Sequence, residues 1–290
     1  MARIAIIGGG NIGEALLSGL LRAGRQTKDL VVAEKDPERS KYLAEKYSVQ
    51  VSSVGGAAEN AAYVIVAVKP SDVEAVVDEV AAAVAHADNE SVEQVFVTVA
   101  AGVSTAYYQS RLPAGAPVIR VMPNAPMVVG GGVSAVARGS FATADQLKDV
   151  VSIFDAVGGV LTVPESQLDA VTAVSGSGPA YFFLMVEALV DAAVAEGLPR
   201  PVATELVSQT MAGSAAMLLE SLDRQQPGGN AAMGAGIDTS AAQLRATVTS
   251  PGGTTAAGLR ELERGGLRAA VANAVAAAKT RSEQLGITSE

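Results

Sequence analysis

A glycine-rich turn near the start of the chain is the first candidate for a functional site. Gly8, Gly10 and Gly13 are spaced as G-x-G-x-x-G, after an apolar segment and before a predicted helix. In such a turn the first glycine allows a tight bend, the second lets a pyrophosphate approach the backbone, and the third lets helix and strand pack closely. The helix start offers free N–H groups to phosphate oxygens. The pattern therefore predicts a dinucleotide site.

An acidic residue, Glu34, ends the next predicted strand about twenty residues after Gly13. A carboxylate at this position hydrogen-bonds the 2′-hydroxyl of NAD and repels the 2′-phosphate of NADP. Lys35 and Arg39 follow closely and could serve a phosphate, although Arg39 could equally be an ordinary solvated charge. Cofactor preference is therefore open between NADH and NADPH, with a slight lean to tolerance of NADH.

The ends of further strands should line the same crevice, at the carboxyl edge of a parallel sheet. Lys69 stands at one such end, where a cofactor contact and a plain surface lysine are about equally plausible. The residues that we predict to contact the cofactor are Ile7, Gly8, Gly10, Asn11, Ile12, Gly13, Glu34, Lys35, Ala67, Val68, Lys69, Pro70, Ala100, Ala101, Met122, Pro123 and Asn124.

Two strings in the second half of the chain, 174–181 and 248–255, place hydroxyl and glycine residues immediately before a helix. In the second string Gly252 and Gly253 free the backbone. The hydroxyls of Ser250, Thr254 and Thr255 stand at a helix N-terminus, where N–H groups and the helix dipole favour a carboxylate. The alternative is a simple N-cap, but paired glycines and three hydroxyls exceed what a cap requires. We predict a carboxylate-binding site formed by Ser250, Gly252, Gly253, Thr254 and Thr255.

Taken together, these strings resemble the pyrroline-5-carboxylate reductase family along essentially the full length of the chain. The matching strings are the glycine turn, 67–70, 120–124, 175–181 and 249–255 continuing through Gly258-Leu259. The resemblance implies that NADPH or NADH reduces 1-pyrroline-5-carboxylate to L-proline, the last step of proline biosynthesis. It also implies that the 250–255 segment binds the substrate carboxylate, with Thr255 as the catalytic residue near the ring nitrogen. Homodimers through the helical domains, in some cases assembled into decamers, are implied as well.

One region departs from the family pattern. Between 219 and 243 many relatives have a shorter link, whereas this chain carries a Gly/Ala-rich stretch, 226–236. Relatives often have an acidic residue before the Ser-Pro-Gly-Gly string, and Asp238 is the nearest match. Because this alignment runs through an insertion, the role is carried over to Asp238 only weakly.

The inventory of acids offers a separate argument about the reaction. Ketone reduction develops an alkoxide and normally needs a strong proton donor, yet the predicted helical domain has no histidine and one lysine, Lys279. A cyclic imine is basic enough to be protonated before hydride arrives, so orientation and electrostatic placement suffice. This favours imine reduction over a hydroxy-acid reductase, which stays as an alternative along with a reductase for another imine. A dinucleotide-binding regulatory protein without catalysis is the alternative from another class.

The predicted secondary structure changes along the chain from alternating strands and helices to helices alone. Apolar segments at 3–7, 30–34, 63–68, 95–99, 118–122 and 160–163 predict strands, with helices at 11–23, 37–47, 71–84 and 144–156. After Pro164 only helices are predicted, at 167–173, 178–196, 201–222, 241–247, 254–263 and 267–285. We therefore expect an α/β Rossmann domain with a parallel sheet over 1–164. An all-α domain for substrate binding and dimerisation should follow over 165–290.

Composition excludes several classes of partner. The 290 residues carry a net charge of −9, which disfavours nucleic acid. There is no cysteine and a single histidine, His86, so neither a metal site nor a Ser-His-Asp triad is expected. The apolar run 181–195 is interrupted by Glu187 and Asp191 and is not expected to span a membrane. With no predicted signal peptide, a cytoplasmic enzyme is expected.

The predicted helix 178–196 carries apolar residues on nearly every face. Such a helix must be covered all round. A helical domain of this size can hardly provide that cover alone. The pattern therefore predicts a homo-oligomer in which subunits pack their helical domains together.

Overall fold

The computed structural model describes residues 2–85, 93–225 and 240–286. His86, the 226–236 stretch and Asp238, all singled out in the sequence, lie outside the described residues. The chain divides into two compact units, Met1–Ser177 with Ala278–Glu290, and Gly178–Ala277.

The first unit is built on a mostly parallel sheet. Its described strands are β1 (Ile4–Ile7), β2 (Leu30–Ala33), β3 (Gln50–Ser52), β4 (Tyr63–Val66), β5 (Val95–Thr98), β6 (Val118–Met122), β7 (Gly132–Arg138) and β8 (Gly158–Thr162). They are arranged in the order β3-β2-β1-β4-β5-β6-β7-β8. The strands from β1 to β6 pair in parallel, β7 is antiparallel to β6, and β8 is parallel to β7. The first six strands have the order of a Rossmann sheet.

The sheet corrects the sequence prediction at two strands. Six predicted strands are found with ends shifted by at most two residues, but β3 and β7 were missed. β3 has only three residues, none of them fully buried, so its apolar signal is weak. β7 begins with Gly132, where a Cβ would lie 2.8 Å from the Cα of Met127. The glycine there reflects close packing on the preceding 3₁₀ helix, and the sheet is not wholly parallel.

Helices cover both faces of this sheet. They are α1 (Asn11–Arg22), α2 (Pro37–Tyr47), α3 (Val54–Ala58), α4 (Val73–Ala85), α5 (Thr105–Arg111), α6 (Ala144–Asp155) and α7 (Leu168–Val171). The strands β1, β2, β4 and β5 are buried along their whole length, because each face packs against a helical layer. One face of β1 packs with Leu16 and Leu20 of α1, and the opposite face packs with Val73 and Val77 of α4.

The second unit is helical, as predicted. Its helices are α8 (Gly178–Ala195), α9 (Arg200–Gln225), α10 (Ser240–Thr247), α11 (Thr254–Arg264) and the first part of α12 (Leu267–Leu285). Helices α8 and α9 pack on each other and bury Val190 and Ala203. Much of the apolar surface of α8 is exposed in the chain, with Phe182 60%, Phe183 69% and Leu184 66% accessible.

A helical stretch in the described part of the chain, Glu165–Ala195, is long and apolar enough to cross a membrane when judged by length and composition alone. We expected the charges of Glu187 and Asp191 to exclude a membrane span. By length and composition alone they do not exclude one. A helix covered by protein can have the same composition.

Candidate active site

The glycine turn lies at the point where the strand order reverses, between β1 and β4. Gly8 follows β1 with φ of +106°, a left-handed conformation that favours glycine. A Cβ on Gly8 would lie 2.7 Å from the carbonyl oxygen of Ala67, which follows β4. One on Gly13 would lie 1.9 Å from the oxygen of Gly8. The tight turn and the close packing predicted for these two glycines are confirmed.

Gly10 differs from its two neighbours. It is exposed, and a Cβ built on it would meet nothing within 4 Å. It is also the N-cap of α1, where no side chain caps the helix, and the first helical bond runs from Glu14 N–H to Gly10 at 2.8 Å. The N–H groups of the first turn are therefore left for a ligand. An open approach to an uncapped helix start fits the pyrophosphate of a dinucleotide.

The peptide unit of Gly9 is held on both sides. One carboxylate oxygen of Glu34 accepts from Gly9 N–H at 2.8 Å, and the other accepts from Asp36 N–H at 2.9 Å. Arg39 Nε donates to the Gly9 carbonyl oxygen at 2.7 Å. Arg39 is therefore not a merely solvated charge, and Glu34 lies directly against the glycine turn. The end of β2 and the start of α2 fix the loop that would face the adenosine half of a dinucleotide.

Arg39 also forms an ion pair with Glu14 of α1, and this carboxylate is the centre of a polar network. Its further donors are Tyr42, Lys46 and Tyr47, at 3.1, 2.9 and 2.7 Å. Burial raises the pKa of Glu14, but the hydrogen-bond donors outweigh that effect and lower it from 4.5 to about 2. The network ties α1 to α2 beside the glycine turn. Nothing in the sequence pattern indicated it.

The two lysines among the predicted cofactor contacts differ in their surroundings. Lys35 is exposed and pairs with Asp72 at 2.9 Å. Lys69, which follows β4, is exposed and has no ion pair with any described residue. A free cation at this sheet edge suits an anionic ligand, whereas Lys35 is already partly neutralised.

The ends of β5 and β6 bring further predicted residues to the same edge. Ala100 and Pro123 are buried, and Ala101 is exposed. Asn124 uses both ends of its amide within the protein: Oδ1 accepts from Val133 N–H at 2.9 Å and Nδ2 donates to the Ser175 carbonyl at 3.3 Å. Its side chain therefore joins β6 and β7 to the segment that leads into α8.

The second unit contains the predicted carboxylate site at the start of α11. Gly253, and not Thr254, is the N-cap, and no side chain caps the helix. Gly252 has φ of +68°, and Gly253 N–H donates to the Ser250 carbonyl at 3.0 Å, which closes the turn. The hydroxyls of Ser250, Thr254 and Thr255 have no hydrogen-bond partner among the described residues. The simple N-cap alternative is therefore wrong.

A buried ionic contact in the first unit was missed in the sequence. Arg120 on β6 is 7% exposed and lies 3.4 Å from the carboxylate of Glu165. The same carboxylate accepts from the N–H and the hydroxyl of Thr105, at 2.8 and 2.6 Å. These bonds anchor the segment after β8 to the sheet and to the start of α5. An arginine in the middle of an apolar strand was the signal that could have indicated a buried partner.

Comparison with known proteins decides the family. Residues 165–285 match the model described as pyrroline-5-carboxylate reductase dimerisation, and residues 3–102 match the model described as NADP oxidoreductase, coenzyme F420-dependent. The chain is 68% identical to a pyrroline-5-carboxylate reductase of Mycobacterium tuberculosis, over 100% of this chain and 99% of the relative. The chain belongs to the pyrroline-5-carboxylate reductase family.

Solved structures of pyrroline-5-carboxylate reductases have the same fold. The chain superposes on the enzyme from Coxiella burnetii with a TM-score of 0.87 and 33% identity, covering 99% of both chains. It superposes on the pyrroline carboxylate reductase of Plasmodium falciparum, solved with NADP bound, with a TM-score of 0.79 and 26% identity. That alignment covers 99% of this chain and 98% of the other. The Rossmann unit and the helical unit are thus a family architecture.

Proposed function

We propose that this protein reduces 1-pyrroline-5-carboxylate to L-proline with NADH or NADPH. The observation that carries the proposal is the uncapped start of α11, where the hydroxyls of Ser250, Thr254 and Thr255 have no partner among the described residues. An anionic group is stabilised by such N–H and hydroxyl donors. The full-length relatives are named for reduction of this carboxylate-bearing ring.

The cofactor would be held by the first unit and would supply hydride to the C=N carbon of the substrate. Gly10, Asn11 and Ile12 would face the pyrophosphate, because the helix start there is open and uncapped. Glu34 would receive the adenosine ribose, and Lys69 would add a positive charge near the phosphates. The remaining residues predicted from the strand ends would form the walls of the same crevice.

Glu34 supports use of NADH. Its carboxylate is fixed beside the glycine turn by two backbone N–H groups, so it cannot turn away without losing both bonds. A fixed negative charge at the end of β2 repels a 2′-phosphate. Arg39 lies close by but is already paired with Glu14. We propose that NADH is accepted and that NADPH is used less efficiently.

The second unit would bind the substrate. The N–H groups at the start of α11 and the hydroxyl of Ser250 would hold the carboxylate, and the bends at Gly252 and Gly253 would let it approach. Thr255 would place its hydroxyl near the ring nitrogen, where with water it can donate or relay a proton. Because a cyclic imine is protonated before hydride arrives, no acid with a shifted pKa is required. Catalysis then depends mainly on the orientation of the substrate and on the electrostatic placement of the reacting groups.

We propose that a second copy of this chain covers the exposed apolar face of α8. Support comes from the exposure of Phe182, Phe183 and Leu184, and from the dimerisation model that matches 165–285. The match to the dimerisation model begins at residue 165, which supports 1–164 and 165–290 as the functional domains. Dimers could assemble further into a decamer. On this view the apolar stretch serves protein contact and not a membrane, and the enzyme works in the cytoplasm without a nucleic-acid partner.

The decisive experiment supplies 1-pyrroline-5-carboxylate to the purified full-length protein and follows oxidation of NADH and of NADPH. We expect turnover with both cofactors and L-proline as the product. The controls are six-membered cyclic imines and 3-hydroxy acids in the reverse direction. Turnover of one of these in preference to the proline pair would assign the chain another reductase activity. Binding of NADH without turnover of any of them would favour a regulatory protein.

A further inference from the structure

The turn that precedes α8 contains a hydroxyl that the proposed function does not use. Residues Thr172–Gly176 form a π-helical turn, a rare conformation that occurs frequently at functional sites. Within it Ser175 Oγ is buried and has no hydrogen-bond partner among the described residues. A buried hydroxyl without a partner has lost its hydrogen bonds to water without replacement, which destabilises the fold. Such a group calls for a ligand or another specific explanation.

The π-turn itself accounts for the missing partner within the protein. A serine in an α-helix can bond the carbonyl four residues before it. Thr172 does this, with its hydroxyl donating to the Leu168 carbonyl at 2.8 Å. Ser175, three residues later, makes no such bond. The α-helix ends at Val171 and the π-turn begins at Thr172, so Ser175 lies well inside the turn, where the backbone no longer follows α-helical spacing and its hydroxyl finds no partner among the described residues.

The turn is fixed firmly at one place in the first unit. The Ser175 carbonyl accepts from Asn124 Nδ2, and the same amide is bonded to β7 through Val133. Gly176 packs so closely on β6 that a Cβ there would lie 2.7 Å from Met122 Cε. Ser175 is thus held at the carboxyl end of β6, in a segment with little freedom to move.

The sheet order indicates which ligand reaches that end. In a Rossmann sheet the dinucleotide crosses the carboxyl edge at the switch point, with one nucleotide half on each side. Glu34 marks the adenosine side at β2, and the glycine turn after β1 marks the pyrophosphate. β6 lies on the opposite side of β1, beyond β4 and β5. The end of β6 therefore belongs to the nicotinamide half.

We propose that the hydroxyl of Ser175 hydrogen-bonds the carboxamide of the nicotinamide ring. The carboxamide is neutral and offers both a donor and an acceptor, which a buried hydroxyl can match in either sense. The bond would fix the rotation of the ring, and hence which face presents its hydride. This role rests on the proposed function, since it requires a nicotinamide cofactor, and it adds a cofactor-binding residue to that site.

The test compares NADH with ADP-ribose, which lacks the nicotinamide, by calorimetry on the full-length protein without substrate. We expect Ser175→Ala to weaken NADH binding about fivefold, the value of one ordinary hydrogen bond, and to leave ADP-ribose unchanged. Thr172→Ala is the matched control, because its hydroxyl is already bonded inside the turn. It should leave the ratio of the two affinities unchanged. Should the alanine variant fail to fold, Ser175→Cys keeps the shape with a weak donor and should show the same selective loss.

Two cofactor analogues then test the assignment to the carboxamide. The thionicotinamide dinucleotide has a weak acceptor, and the 3-acetylpyridine dinucleotide lacks the amide donor. For one of these analogues, Ser175→Ala and the wild-type protein should bind with equal affinity. A penalty equal for NADH and ADP-ribose, or undiminished with both analogues, would overturn the proposal. Those results are distinct from failure of the proposed function, which would appear as wild-type protein that neither binds NADH nor turns over 1-pyrroline-5-carboxylate.

Discussion

Gly13 lies against the carbonyl oxygen of Gly8, so closely that a Cβ on Gly13 would be 1.9 Å from that oxygen. The start of α1 and the end of β1 are in contact through this pair, which leaves no room for a side chain. Gly10, between them, faces open space. The three glycines of one motif are therefore required for different reasons, and this difference can be measured.

We expect Gly10→Val to fold normally and to lose dinucleotide binding. Its Cβ would have no protein atom within 4 Å, and the side chain would occupy the approach to the uncapped start of α1. Affinity for NADH should fall at least about tenfold, with the melting temperature close to that of wild type. Gly13→Ala should instead lower the melting temperature, since its methyl cannot fit. Unchanged NADH affinity in Gly10→Val would refute the placement of the cofactor site.

Thr255→Ala should lower turnover much more than it weakens NADH binding. The hydroxyl has no partner among the described residues, so its removal leaves no protein group unpaired. A proton donor or relay typically contributes about 10²–10⁴-fold to rate. Thr255→Ser keeps the hydroxyl and should recover most of kcat, while the NADH affinity of both variants should match wild type. Full activity in Thr255→Ala would remove this residue from the mechanism.

Glu34→Gln should shift cofactor preference toward NADPH. The amide oxygen can still accept from Gly9 N–H, the amide NH2 replaces the oxygen that accepts from Asp36 N–H, and the negative charge that would face a 2′-phosphate is removed. Loss of one repulsion of about 1 kcal/mol corresponds to roughly a fivefold rise in the ratio of kcat/KM for NADPH to that for NADH. Lys35→Gln, which alters the adjacent exposed charge, should move that ratio the opposite way or not at all. A ratio unaffected by Glu34→Gln would show that this carboxylate does not face the ribose.

The pKa of Glu14 predicts how stability depends on pH. Because this pKa is about 2 in the folded protein and near 4.5 otherwise, the carboxylate stabilises the fold above pH 4.5. That contribution is lost as the pH falls through 4.5 toward 2. Denaturant titrations at several pH values should show a steeper loss of unfolding free energy in wild type than in Glu14→Gln. Glu59→Gln, at an exposed position, should keep the wild-type slope. Parallel slopes for wild type and Glu14→Gln would contradict the network.

Phe183→Glu should convert the protein to monomers. Phe183 is 69% exposed on α8, and a charge placed in an apolar contact is not tolerated. Light scattering should give the monomer mass of 29.2 kDa for the variant and at least twice that for wild type. Ser152→Glu adds the same charge at an exposed site on α6 and should leave the mass unchanged. A wild-type protein of monomer mass would refute the oligomer.

The architecture and much of the candidate site could be predicted from residue patterns along the chain. Periodicity located six strands and the helical second half, since buried parallel strands and long helices have strong patterns. The glycine turn and the 248–255 string were recognisable because their chemistry depends on backbone freedom, which residue type reveals directly. Two strands were not predicted because they lack such a pattern. β3 is short and only partly buried, and β7 begins with a glycine.

Which side chains meet could not be predicted in this way and is known from the folded chain. Glu14 and Arg39 are 25 residues apart, and Thr105 and Glu165 are 60 apart, yet each pair is in hydrogen-bond contact. No local pattern encodes such partners, because they depend on which strand ends and helix faces the fold brings together. The same holds for Ser175, whose hydroxyl looks like any other in the sequence. Only the folded chain shows that this hydroxyl is buried without a partner among the described residues, in the π-turn that packs beside the end of β6.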